Sequence, residues 1–583
     1  MAMASKDAAD AETTSADHIS LITAGYTFEE PSIQLGAAVV GGTVHPEAAV
    51  RLPLAMMNRH GLVSGATGTG KTITLQVLAE QLSIGGVPVF LADIKGDLTG
   101  LSTPGAGAEK LLKRTQSVGQ SWSAASFPVE YFSLGGDGVG VPIRATISDF
   151  GPLLLARVLD LNETQESSLQ LVFHYADKAG LELFNLADLR AVITFLVSDE
   201  GKDALEQLGG LSKATAGVIL RELITLEAQG MDRFFGEPEF DTGDLLRTGA
   251  DGRGIINCLE LPTLQQKPQL FSTFLMWLVA DLFADLPEVG DLDKPKLVFF
   301  LDEAHLLFNG ASKAFLQSIQ TTVRLIRSKG VGIFFVTQTP RDVPAEVLGQ
   351  LANRVQHALR AFTPDDAKAL KSTVSTFPIS PYDLEEVLTT AGIGEAVVTV
   401  MNEKGAPTPV AWTRMFSPQS TMGPSPAGVV EDIVKSSPLL ADYGTPIDSH
   451  SAFEKLSGQA EAETPTTTTA APPSTADEPP AAGRLPTQAE IDADARRIEE
   501  EILGRPSNRP PSARREQPAP DSGTNPPPAP RTGGNQPDRN QPDGNQPDRN
   551  EMMDFALKAA GTIGVELVRG LFGTQRRRRR RRW

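Results

Sequence analysis

Residues 60–72 read HGLVSGATGTGKT, and the fold turns on this stretch. A short apolar run, His60–Ser64, leads into a glycine-rich loop, and Lys71–Leu82 then carries apolar residues at helical spacing. Gly65, Ala66, Thr67, Gly68, Thr69, Gly70, Lys71 and Thr72 fit the pattern G-x-x-x-x-G-K-[ST]. Glycines here let successive backbone N–H groups turn inward around phosphate oxygens. The following helix aims the positive end of its dipole at the same anion. The pattern predicts that Lys71 reaches the β- and γ-phosphates of ATP and that Thr72 offers its hydroxyl to Mg2+. A chance glycine-rich turn has the same letters but lacks the strand before and the helix after.

Working outward, Val87–Ala92 is a continuously apolar run ending in Asp93, as a buried parallel strand requires. Further strand-like runs follow at Gly254–Leu261, Leu297–Leu301 and Gly332–Val336, with others expected at Arg354–Ala361 and Ala396–Val400. Ser32–Val44 is expected to add one or two short strands before the loop. Between them, residues 148–250 place apolar side chains at helical spacing, as in Gln165–Ala179 and Gly217–Ala228. The expected fold class is α/β: a RecA-like P-loop NTPase core with a mostly parallel sheet, split into residues 32–147 and 251–416 by a helical insertion at 148–250.

The ends read differently. Residues 1–31 look disordered, and after about Ser417 the composition turns Pro/Thr/Ala-rich, reaching the repeat NQPDR, NQPDG, NQPDR from Asn535. Such sequence buries too little surface to offset chain entropy, so 417–550 is expected to be a flexible linker with a short helix near 487–503. Residues 551–583 pair an apolar stripe with Arg576–Arg582; nine basic residues against three acidic ones give this segment +6 in a chain of net charge −19. This basic amphipathic end suits DNA phosphates, the acidic body of its own assembly, or, less favoured, an anionic membrane surface. A solubilised tail with no defined partner is the bland alternative.

A second chemical element stands at Leu297-Val-Phe-Phe-Leu301-Asp302-Glu303. Two carboxylates emerge at the C-terminal tip of an apolar strand, where open α/β sheets bind ligands. Asp302 is expected to hold Mg2+ through water, and Glu303 to orient and polarise the attacking water. Gln338 ends the next apolar strand, where a neutral amide can sense the γ-phosphate. Arg324 and Arg327 lie between these two strands; a guanidinium delivered across a subunit boundary assists phosphoryl transfer, and a solvated helix face explains either residue as well. In Asp93-Ile-Lys95-Gly-Asp97 a carboxylate is placed to tune the water or meet a neighbouring subunit, unless it merely ends a strand. Cys258 and the histidines show no metal-ligand spacing.

The bulk numbers exclude several classes. A sequence pI near 5.0 rules out a general nucleic-acid sponge, so any polyanion needs a local basic patch or a lined pore. One cysteine excludes an intrachain disulfide. The N-terminus lacks an apolar signal core, and Phe271–Leu286 is interrupted by Asp281 and Asp285, so a cytoplasmic protein without a transmembrane segment is expected.

GATGTGKT, DIKGDL, LDEAHLLF, RLIRSKGVGIFFVTQTP and NRVQHALRAFTPDD, in that order, resemble the HerA/FtsK-type hexameric ATPases, closest to the bacterial HerA-like helicase branch, over about residues 32–416. The resemblance implies a homo-hexameric ring, ATP hydrolysed between neighbours, and DNA translocation or helicase action through a central channel. It gives Lys71 and Thr72 the phosphate and metal roles, Asp302 and Glu303 the metal and catalytic roles, and Gln338 the sensor role. Arg327, with Arg324 second, takes the arginine finger. Only about 60 residues precede the loop, which leaves little room for the N-terminal barrel of archaeal members. The string Asp302-Glu-Ala-His305 does not indicate a DEAH-box helicase: 231 positions separate Lys71 from Asp302, and no second lobe follows. Two other functions use the same core, a secretion-like ATPase that remodels proteins and a nucleotide-gated scaffold.

Overall fold

A computed structural model describes residues 15–207, 210–261, 268–290, 292–308 and 313–462. The strands are β1 (Ser32–Val40), β2 (Thr43–Pro53), β3 (Gly61–Ser64), β4 (Val89–Asp93), β5 (Val129–Leu134), β6 (Val141–Ile143), β7 (Ile256–Glu260), β8 (Leu297–Leu301), β9 (Val331–Thr337), β10 (Asn353–His357), β11 (Glu395–Thr399) and β12 (Ala411–Met415). They form one sheet in the order β2-β1-β12-β11-β10-β3-β9-β8-β4-β7-β5-β6. From β10 to β6 every neighbouring pair is parallel; from β2 to β10 every pair is antiparallel. The α/β, mostly parallel expectation holds, with an antiparallel wing added.

The parallel block explains the uninterrupted apolar runs. β3, β4, β8 and β9 are buried along their whole lengths, because helices cover both faces of the sheet. Phe90, Phe299, Phe300 and Phe334 supply much of the filling between strands, with ring pairs 5.0 and 5.3 Å apart. β9 lies between β3 and β8, with Ser64 opposite Thr337 and Leu301 opposite Phe335. The glycine-rich loop and the two acids therefore leave the sheet at the same edge, one strand apart.

Residues 147–228 fold into helices Ile147–Val158, Glu163–Ala179, Leu186–Val197, Lys202–Gln207 and Lys213–Ala228. Asn162 and Asn185 begin two of these with reciprocal caps, each accepting from the backbone three residues on. The indole of Trp277, buried in the helix Pro268–Asp285, donates to Asp149 at 2.8 Å and ties this helical layer to the core.

Two expectations of disorder fail within the described chain. Residues 15–25 are helical, and Ile22 and Tyr26 are buried; the Tyr26 hydroxyl donates to Pro409 O at 2.8 Å. Residues 417–462 are not a loose linker. Gln419 and Ser420 donate backbone N–H groups to the Glu80 carboxylate at 2.8 and 2.9 Å, and helices Val429–Ser436, Leu439–Tyr443 and Ala452–Ala462 follow. Phe453 N donates to Asp188 Oδ1 at 3.0 Å, so this segment also reaches the helical layer. Composition misleads here because the hydrogen bonds that order the segment come from residues far away in sequence, Glu80 lying 339 and 340 positions from Gln419 and Ser420. The short helix near 487–503, the rest of the linker, the basic segment 551–583 and residues 1–14 lie outside the described residues. Among the described residues no helix is long and apolar enough to cross a membrane.

Candidate nucleotide site

β3 ends at Ser64, and the chain turns through Gly65–Gly70 before the helix Lys71–Ile84 begins. Two glycines are required by geometry. Gly65 has φ 153°, and a Cβ there would meet His357 Cβ at 2.5 Å; Gly70 has φ 114°, and its Cβ would meet Gly394 at 3.2 Å. The loop is pinned on both sides: Ala66 N donates to Ala358 O at 2.9 Å, and Gly394 N donates to Thr69 O at 2.9 Å. Thr69 Oγ1 donates to Ala66 O at 2.7 Å. The ammonium of Lys71 folds back onto the loop, 2.7 Å from Gly65 O and 3.2 Å from Ala66 O. Ala66 and Thr72 are half-buried, and Thr67 and Gly68 are exposed.

His357 lies beneath this loop, fully buried. Its Nδ1 stands 2.9 Å from Glu395 O, an acceptor only, so Nδ1 carries the proton and Nε2 accepts from Thr74 Oγ1 at 2.9 Å. Burial pushes its pKa down to about 4, and the nearby Lys71 charge acts the same way. A neutral ring thus props the turn from below.

Asp302 and Glu303 follow β8. Asp302 is almost fully buried, and burial, with the Glu303 charge adding to it, raises its pKa to about 6 against the pull of Lys95. Its Oδ1 accepts from Glu303 N at 2.8 Å. Glu303 has φ 48°, a left-handed conformation that side-chain-bearing residues seldom adopt and that is over-represented at functional sites. Its Oε1 pairs with Lys95 at 2.8 Å, and its Oε2 stands 3.4 Å from His305 Nδ1. Burial lowers the Lys71 pKa, and Asp302 and Glu303 both oppose that shift, so the loop lysine and the two acids share one electrostatic environment.

Gln338 is exposed, one residue beyond β9, and so lies at the tip between the loop strand and the acidic strand. Arg324 and Arg327 are exposed and precede β9. A strand of seven residues spans about 20 Å, so both arginines sit at the far end of β9 from their own chain's loop. Asp93 does not face the site: its carboxylate accepts the backbone N–H groups of Lys95, Gly96, Asp97 and Leu98 at 2.7–3.2 Å and shapes the loop after β4. β4 is two strands removed from β3, and it is Lys95, not a carboxylate, that the loop delivers to Glu303. Nothing in the local spacing marks Lys95. Only the pairing of β4 with β8 brings it there.

Gly68 and Thr69 also wall a cavity of about 410 Å3, closed by residues 358–362 and by Thr389, Ala391 and Ile393. Phe362 and Ile393 are 82% and 77% exposed, an apolar rim beside the loop of a size suited to a planar base. Local spacing does not reveal this cavity, because segments about 30 positions apart meet through the pairing of β10 with β11.

The chain is 21% identical over 372 residues to the DNA double-strand break repair helicase HerA of Saccharolobus solfataricus, covering 63% of this chain and 66% of that protein. It therefore spans slightly less than two thirds of that relative's length. The protein of the same name from Sulfurisphaera tokodaii is 24% identical over 376 residues, 64% of this chain and 67% of that one. Among solved structures, the bacterial conjugative coupling protein TrwBdeltaN70 superposes with a TM-score of 0.44 and 15% identity, over 70% of this chain and 95% of that one. The family model for the helicase HerA-like C-terminal region matches residues 41–508. That match takes in well over half of the sequence, and the chain belongs to the HerA-like helicase C-terminal family.

Proposed function

We propose that this protein is an ATP hydrolase that drives translocation along DNA, assembled as a homo-hexameric ring with its nucleotide sites between neighbours. The observation that carries the reading is the shared edge of β3, β9 and β8, which places the Lys71 ammonium in the field of Asp302 and Glu303. The residues fit a nucleotide with Mg2+. The loop from Gly65 to Gly70 has three glycines at positive φ, the Lys71 ammonium donates to loop carbonyls, and Asp302 offers a carboxylate one strand away. Bound Mg2+ supplies charge neutralisation for phosphoryl transfer.

In this reading the loop amides and Lys71 bind the phosphates, Thr72 and Asp302 hold the cation, and Glu303 orients the water and takes its proton. Gln338 senses the terminal phosphate. Arg327, or Arg324, completes the site of the adjacent subunit, since about 20 Å of strand keeps both away from their own. The cavity edged by Phe362 and Ile393 takes the base. Membership of the HerA-like family supports DNA as the substrate, as the name DNA double-strand break repair helicase does for both archaeal relatives. Protein remodelling and a nucleotide-gated scaffold are the competing functions. Steady-state ATPase rates with and without double- and single-stranded DNA separate them, read together with the mass of the assembly in the same buffer. DNA stimulation that falls steeply with salt is expected. Glu303→Gln should bind ATP and turn it over at least 100-fold more slowly. Turnover indifferent to DNA, or retained in that variant, would remove the motor or the base respectively.

A further inference from the structure

Lys95 stands where the proposed reaction has no use for a second amine. Its backbone is fixed, because the Asp93 carboxylate accepts four consecutive N–H groups from residues 95 to 98. The β4–β8 pairing then sets this loop beside the acidic tip. Lys95 Nζ lies 2.8 Å from Glu303 Oε1 and 4.0 Å from Asp302 Oδ2. The ammonium thus pairs with one carboxylate and stands within reach of a second. The other Glu303 oxygen stands 3.4 Å from His305. A carboxylate with both oxygens facing nitrogen partners, one of them a cation, has less of its lone-pair density available to accept a proton from water.

We propose that Lys95 is a latch on Glu303: the ion pair holds the carboxylate in a resting orientation, and hydrolysis requires the pair to part. This rests on the reading of Glu303 as the group that activates water. Lys95 is thus a positioning residue that acts through Glu303. Its side chain is 45% exposed, so it has room to swing away while the Asp93-capped backbone stays still. A turnover that waits for this parting stays slow in an idle ring and quickens when the ammonium is drawn off. The latch accordingly restrains hydrolysis in the absence of DNA.

The test compares full-length wild type, Lys95→Met, Lys95→Arg and Glu303→Gln, with kcat and KM for ATP measured with and without DNA. Lys95→Met keeps the length of the side chain and removes the charge; Lys95→Gln is the second variant should the first fail to fold. The expected result is a DNA-free kcat about fivefold above wild type, the size of a partly exposed ion pair. KM should hold within about twofold and DNA stimulation should shrink by a similar factor, while Lys95→Arg stays near wild type. A tenfold fall in kcat at constant KM overturns the latch and makes Lys95 an activator. An unchanged DNA-free kcat overturns it too. A wild-type structure with a non-hydrolysable ATP analogue and Mg2+ should show Lys95 Nζ parted from Glu303, and an intact pair there also refutes it. Turnover persisting in Glu303→Gln defeats the underlying reading instead, so the two failures are distinguishable.

Discussion

Replacing His357 with asparagine tests how the glycine-rich loop is supported. In the native fold the ring is buried and neutral, with its pKa pushed from 6.5 down to about 4. The unfolded chain binds a proton near pH 6.5, whereas the folded chain resists until about pH 4. The stability tied to this depressed histidine is therefore complete above pH 6.5 and disappears as the pH falls to 4. At about 1.4 kcal/mol per pH unit the loss comes to about 3 kcal/mol. Asparagine keeps a donor toward Glu395 O but leaves Thr74 Oγ1 without its acceptor and removes volume under Gly65. It should cost about 1–3 kcal/mol at pH 7. It cannot titrate, so the deficit should close by about 2–3 kcal/mol between pH 7 and pH 4. His60, also lowered to about 4, and the raised carboxylates Asp302 and Glu260 are common to both proteins, so the difference isolates one ring. Urea unfolding at several pH values reads it directly. Parallel curves for the two proteins would refute the assignment of a neutral, buried His357 beneath the loop.

Other changes probe other joints. Glu80→Ala removes the acceptor for the backbone N–H groups of Gln419 and Ser420, and should cost about 2–4 kcal/mol. Limited proteolysis should then cut residues 417–425 faster than in wild type, and an unchanged cutting rate would mean that Glu80 does not hold that segment. Glu260 is raised to about 8 by burial first and the Asp93 charge second, so its contribution is present below pH 4.5 and lost as the pH rises through 8. Glu260→Gln should accordingly gain in melting temperature, relative to wild type, from pH 5 to pH 9; a constant offset would show that Glu260 does not titrate there.

The strand, turn and helix around Gly65–Thr72 were legible because everything they need is local. Eight consecutive residues set the turn, and a strand and helix flank it at once. Asp302 and Glu303 were legible for the same reason, as two acids ending a five-residue apolar strand. Lys95, His357 and the cavity beside Gly68 were not, because their roles arise from strand order, which periodicity does not encode. β5, β6 and β12 also escaped notice: β6 has three residues, too few to establish a period. The span 417–462 was misread for the opposite reason. Its Ser, Pro and Gly content describes local freedom correctly, but Glu80, 340 positions from Ser420, removes that freedom.

The sheet order sets a schedule for synthesis. β1 emerges early, yet one of its edges pairs with β12, with Gly36 opposite Met415. At about 5–20 residues per second, that edge waits roughly 20–75 s on the ribosome for its partner. β3 likewise waits for β9 and β10, so the glycine-rich turn is among the last parts to be braced from both sides. Nascent chains should bind nucleotide only after about residue 400 has left the exit tunnel, and until then the open β1 edge of the N-terminal hairpin is the surface that a chaperone would meet.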